Sequence, residues 1–266
     1  MLEVHGFPAL FESIFSLLAA IVFALINLYT LRLLNYVEHH KRRVLSFFGG
    51  VAAAYVFLDL LPSLEQAGVY LTQIAGASQL VAVYEDAIFL VVFVGFLIFF
   101  VLEDLAKRSR IKNQAVTRQG YDQTAANKNV FIVAFINYGF LNLVLSYLLF
   151  FEFEVGLAGG LLFTFAVALH LFILNDSMVE HYKHYQTSVG RYVGALLPII
   201  GWGVSILFPE HLAEVYILLA LISGTILYTS IKNEIPSETR KQSLAFFLVG
   251  SAFYAVLLLA HAILVA

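Results

Sequence analysis

The sequence predicts an all-α, polytopic membrane protein with eight transmembrane helices. Three observations carry that reading. The chain of 266 residues is 61% hydrophobic and 12% charged, whereas a soluble domain is about 45–50% apolar and about 25% charged. The apolar runs are continuous rather than alternating, which suits helices and not a barrel. Eight of these runs reach the roughly 20 residues needed to cross about 30 Å of hydrocarbon. So few charges could not cover a water-soluble fold of this size, which excludes soluble enzyme folds and secreted disulfide scaffolds. The chain has no cysteine, hence no disulfide and no thiolate metal site. A net charge of -3 makes nucleic acid an unexpected partner. A lipid bilayer is the expected surrounding, either a plasma membrane or a bacterial inner membrane.

The runs cover residues 9–31, 46–64, 85–103, 129–151, 157–179, 189–208, 211–231 and 243–265, here numbered one to eight. The first lacks the basic start of a signal peptide and carries Glu12 early in the run. Pro209 and Glu210 alone separate the sixth and seventh, so one long buried hairpin is the alternative there. Of the 15 Lys and Arg, 14 fall between runs and Arg191 stands in the first turn of the sixth. Arg32, Lys41, Arg42 and Arg43 follow the first. Lys107, Arg108, Arg110, Lys112, Arg118 and Lys128 follow the third. Lys183 and Arg191 follow the fifth, and Lys232, Arg240 and Lys241 follow the seventh. With eight helices these four connections share one face. The positive-inside rule makes that face cytoplasmic and puts both termini outside. The chain reads as a single transmembrane domain, 1–266. Its one long connection, 104–128, is a polar, basic cytoplasmic loop placed where anionic headgroups lie.

Runs two and seven share a punctuation. Gly50 is followed twelve positions later by Pro62, and Gly224 by Pro236. Nine positions after each glycine stands a polar residue, Asp59 and Asn233. Tyr55 and Tyr228 lie at nearly matching depths, and Glu65 and Glu238 follow the prolines. The two helices run in opposite directions, so the pattern points to an inverted repeat relating helices one to three with six to eight, as secondary transporters often have. Asp59 is costly inside a membrane and normally faces a cavity or a partner. Its position near Pro62 also allows it to reach the interface.

The remaining intramembrane polar residues concentrate in helices four and five. Helix four carries Asn137, Asn142 and Ser146, with Asn142 and Ser146 on one face. Such amides either coordinate a cation through the carbonyl oxygen or bridge helices. In helix five, His170 lies deep in the apolar run. Asp176 and Glu180 are one turn apart, and His170, Ser177 and His181 line up along a face, with His184 following near the cytoplasmic end. Imidazole and carboxylate suit Zn2+, Fe2+ or Mn2+, although a deep histidine also serves as a packing residue. Pro198 is expected to kink helix six or to open its hydrogen bonds. Glu103 and Asp104 read as the cap of helix three, and His261 in helix eight as incidental.

The segments GGVAAAYVFLDLLPSLE, SGTILYTSIKNEIPSE and GFLIFFVLEDL resemble the second, seventh and third helices of the ZIP (Zrt/Irt-like) family of metal transporters. That resemblance implies eight helices in a 3+2+3 arrangement, both termini outside and a long cytoplasmic loop after helix three. The family's metal motif is degenerate here. Helix four of the family carries His-Asn-x-x-Asp-Gly, and residues 136–141 retain only Asn137. Helix five of the family carries His-Glu-x-Pro followed by His or Glu. Residues 170–175 retain only His170, with Asn175 as a substitute at the end. One imidazole and one amide hold a dehydrated dication poorly, unless the site has moved inward to Asp176 and Glu180.

The resulting expectation is a divalent-cation transporter, working by alternating access around helices two, four, five and seven. The ion would sit on Asn137, His170 and Asp176, with Glu180 and His181 on the cytoplasmic exit. Asp59, Asn142, Asn175, Ser177, His184 and Asn233 would be further pathway residues. A homodimer is compatible with this reading. The alternative is a ZIP-like scaffold, sensor or interaction protein that has lost the site. An enzyme is not expected, since no spacing such as H-E-x-x-H is present.

Overall fold

A computed structural model describes residues 8–36, 38–75, 81–116, 128–185, 189–208, 212–231 and 243–265. In chain order the helices are α1 (Pro8–Tyr36), α2 (Lys41–Tyr55), α3 (Leu61–Ala75), α4 (Val81–Val116), α5 (Lys128–Val155), α6 (Leu157–Tyr185), α7 (Arg191–Leu207), α8 (Leu212–Thr229) and α9 (Leu244–Val265). A short 3-10 turn, Glu38–His40, precedes α2, and a π turn, Val56–Leu60, joins α2 to α3. Among the described residues, six helical stretches are long and apolar enough to cross a membrane: Leu10–Tyr36, Lys41–Leu71, Ala87–Leu105, Phe131–Val155, Leu157–Val179 and Leu244–Leu264. Arg191–Leu207 and Glu214–Thr229 are shorter apolar helices. Large apolar side chains such as Leu248, Val249, Val256 and Leu259 of α9 face outward, as a lipid surrounding requires. The chain is an integral membrane protein of all-helical architecture.

Two runs extend past the boundaries of the sequence reading. The second run continues to Ala75 through the π turn. The ring of Pro62 crowds the carbonyl one turn back, and a widened turn relieves that clash. Ser63 Oγ donates to the carbonyl of Asp59 at 2.8 Å within the same bend. The third run continues to Val116, so 104–116 is helical rather than loop. This stretch is rich in good helix formers, and Arg108 Nε donates to Asp104 Oδ2 at 2.6 Å one turn away. Residues 117–127 lie outside the described residues. The sixth and seventh runs are separate helices, with α7 ending at Leu207 and α8 starting at Leu212. Pro198 does not break α7.

The helices sort into two groups by what they touch. In one, α1, α5, α6 and α7 pack on one another. In the other, α2 lies along α9, α4 lies along α8, and α3 bridges to α4 and α8. Contact between the groups is thinner and runs chiefly through α2 on α6 and α5 on α4 and α8. Glycine makes the second group possible. A Cβ on Gly50 would stand 2.0 Å from the carbonyl oxygen of Phe247, and one on Gly250 would stand 2.1 Å from that of Phe47. A Cβ on Gly224 would stand 1.9 Å from the carbonyl oxygen of Val92, and one on Gly95 would stand 1.9 Å from that of Leu221. Both helix pairs therefore meet backbone to backbone. Six residues after Gly50 the helix widens into its π turn, and six residues after Gly224 another π turn begins at Ser230.

Replacing Gly50 by Ala is expected to destabilise the protein by about 1–3 kcal/mol or more through overpacking. Gly203→Ala, with nothing within 4 Å of the new methyl, should be neutral. Thermal unfolding in detergent compares the two.

Candidate membrane-embedded site

Pro198 lies on α7, one helical turn after Gly194. It has no N–H, so the carbonyl of Gly194 loses its helical donor. Asn27 of α1 supplies the replacement, its Nδ2 donating to Gly194 O at 3.0 Å. The same Nδ2 donates to Asn142 Oδ1 of α5 at 2.7 Å. Tyr138 donates its hydroxyl to Asn27 Oδ1, and Asn142 Nδ2 donates to the carbonyl of Tyr138 at 2.8 Å. Gly194 also makes room for the Tyr138 ring, 3.3 Å from where a Cβ would stand. One turn along α1, Asn175 of α6 donates through Nδ2 to Asn27 O at 3.2 Å and to Thr30 Oγ1 at 3.1 Å. Four helices are thereby joined through buried amides. Asn142 and Asn175, singled out as pathway residues, are engaged here as helix bridges.

His170 sits at mid-height of α6 and is 2% exposed. Asp176 is 8% exposed and accepts from Lys41 Nζ of α2 at 2.8 Å. The lysine ammonium thus stands where a cation bound by Asp176 would stand. His170 and Asp176 are six residues apart, about 9 Å along the helix.

Asn137 faces elsewhere, into the boundary between the two groups of helices. A cavity of about 40 Å³ is lined there by Glu103 of α4, Asn137 and Tyr138 of α5, and Ser177 and Tyr182 of α6, together with apolar side chains. Asn137 Nδ2 is buried with no hydrogen-bond partner among the described residues. Helical geometry breaks at Tyr182, with φ -135° and ψ 35°, beside this cavity. Leu174, another of its walls, is one turn from His170. A larger apolar cavity of about 290 Å³ adjoins it, also touching Asn137, between α4, α5 and α8. Glu103 is more than a helix cap, since it lines the smaller cavity together with Asn137, Ser177 and Tyr182.

Toward the opposite end of the helices, Asp59 of the π turn and Glu152 of α5 lie within electrostatic range of each other and of Tyr55 and Tyr254. Tyr55 packs edge-on against Tyr254 at 6.3 Å between centroids. His261 of α9 is within electrostatic range of Asp59.

Of the residues singled out in the sequence, Asp176 is engaged by Lys41 and Asn137 lines the small cavity. That cavity brings Asn137 together with Ser177 and with Glu103. The side chains of Glu180, His181 and His184, and the whole of Asn233, lie outside the described residues. Among the described residues, no group of three or more His, Asp or Glu is placed to hold a metal ion. Asn27, Tyr138 and Glu103 are missed by sequence reasoning. The signals that could have found them are the amide of Asn27 inside an apolar run and the proline that orphans Gly194. Comparison with family models, curated proteins and solved structures finds no match.

Asn27→Ala should cost about 1–3 kcal/mol for a stranded buried polar group. In a Pro198→Ala background Gly194 regains a helical donor. The penalty of Asn27→Ala should then shrink by about 1 kcal/mol, as a double-mutant cycle of unfolding would read.

Proposed function

We propose that the chain is a ZIP-like transporter of a divalent cation, with eight spans in a 3+2+3 arrangement, an inverted repeat and both termini outside. The observation that carries this reading is the paired glycine packing. Exchanging helix two with seven and helix eight with three turns the Gly50 and Gly250 contacts into the Gly224 and Gly95 contacts. The same exchange superposes the π turns at Val56 and Ser230. Two inverted halves built this way are the usual framework of alternating access.

The mechanism follows from the boundary between the groups. α2, α5, α6 and α8, the second, fourth, fifth and seventh runs, meet there. The Glu103–Asn137–Ser177 cavity lies on this seam near the end that carries the basic loops, and the Asp59 and Glu152 cluster lies toward the other end. Movement of the α1–α5–α6–α7 group against its partner exposes first one cluster and then the other. The cation, with Zn2+, Fe2+ and Mn2+ as candidates, passes between carboxylates that offset its charge, with His170 between them. Asp176 joins only when Lys41 releases it. Transport requires no bond chemistry and no enzyme activity.

A second reading has its own support. Asp176 is neutralised by Lys41, and Asn142 and Asn175 are spent on holding helices together. A ligand-depleted scaffold or sensor would look this way.

The decisive measurement is thermal stability of the purified protein across Zn2+, Fe2+, Mn2+, Mg2+ and Ca2+, followed by uptake into vesicles. Binding to the folded state raises stability by mass action. The transporter reading expects a selective rise, lost in His170→Ala and Glu103→Gln, and uptake lost with it. No rise with any ion and no uptake would leave the scaffold. Topology has a separate test, because the chain contains no cysteine. Gln119→Cys should be labelled only from the cytoplasmic side, and Glu154→Cys only from outside.

A further inference from the structure

The basic end of the protein holds two cavities that the proposed path does not use. One, of about 390 Å³, is lined by His39, His40, Arg42, Arg43 and Ser243. The other, of about 320 Å³, is lined by His40, Arg43, Val44, Phe47, Phe48 and Phe246. His40 and Arg43 line both, so a cationic chamber continues into an apolar groove.

The walls are built rather than incidental. Ser243 N–H donates to Ser46 Oγ at 2.9 Å, and Ser46 Oγ donates to the carbonyl of Arg42 at 2.7 Å, which pins the start of α9 to α2. Val44, Phe47 and Phe48 share one face of α2 at helical spacing. Phe47 packs on Phe253 and Phe48 on Phe172, at 5.8 and 5.3 Å between centroids. The Arg43 guanidinium lies 5.6 Å from the Phe246 ring centroid, so the charge is carried to the groove wall. Lys41 turns the other way, to Asp176. Among the described residues neither Arg42 nor Arg43 has a carboxylate partner.

We infer that this two-part chamber binds an anionic phospholipid of the leaflet that faces the basic loops. Its phosphate lies between Arg42, Arg43 and the imidazoles of His39 and His40. One acyl chain follows Val44, Phe47, Phe48 and Phe246. Two guanidiniums side by side call for net negative charge, which a zwitterionic lipid lacks. The apolar groove calls for a hydrocarbon chain, which a free phosphate lacks. Basic pockets between membrane helices on the cytoplasmic side recognise anionic headgroups in this way.

The test uses the full chain in detergent, with native mass spectrometry counting phosphatidylglycerol and phosphatidylcholine adducts. One saturable phosphatidylglycerol is expected, with affinity roughly 30-fold weaker in Arg42→Gln/Arg43→Gln and unchanged in Arg32→Gln. A phosphatidylglycerol with a photoreactive acyl chain should crosslink the unaltered protein at Phe47, Phe48 or Phe246, a readout that does not depend on the folding of any variant. Equal binding of phosphatidylcholine would overturn the proposal, as would an equal loss in Arg32→Gln or crosslinks spread over the outer face of α9. Glycerol 3-phosphate competing as well as the lipid would reassign the chamber to a free phosphate and overturn it too.

Discussion

Pro198 cannot donate a backbone hydrogen bond, and one whole group of helices is arranged around the carbonyl that this leaves at Gly194. In a bilayer no water is at hand for that carbonyl, so another helix must supply the donor. Asn27 does so, and a primary amide that donates also has an oxygen and a second proton to place. Tyr138 and Asn142 take those places, and their positions fix the rotation of α5 against α1 and α7. Asn175 then fastens α6 to the same stretch of α1. A single missing proton thus dictates the register of four helices.

The other group is held by a different force. α2 on α9 and α4 on α8 meet through glycines that let carbonyl oxygens approach the facing helix. Hydrophobic burial gives little advantage between helices already in lipid, so close van der Waals contact carries the association. Two bundles fastened internally by different means, and joined more thinly to each other, have their seam as the natural place for movement. The internal cavities around Asn137 lie on that seam. So does the contact of α2 with α6, where Lys41 reaches Asp176.

The polar residues of the sequence divide accordingly. Asn142 reads equally as a ligand or a bridge and Asn175 as a substitute ligand, and the neighbouring helices make both bridges. Asn137 reads the same way, and its rotation on α5 turns it toward Glu103 and Ser177 instead. Glu103 looks like a cap because a carboxylate ending an apolar run usually is one. It lines a cavity with side chains of α5 and α6, on a helix that continues past it to Val116. His170 and Asp176 share a helix but not a height, and no amount of spacing analysis reveals the lysine that reaches Asp176 from α2.

What the sequence determined by itself was an all-helical, membrane-length apolar chain and the glycine and proline positions that punctuate it. These are local properties: hydrocarbon length sets how many apolar residues a crossing needs, and a proline or glycine acts on its own turn. The tertiary structure alone decided which polar groups meet. A pair such as Asn27 and Asn142, separated by 115 positions, depends on the rotation of each helix about its axis. That rotation is fixed only when every buried donor and acceptor has competed for a partner.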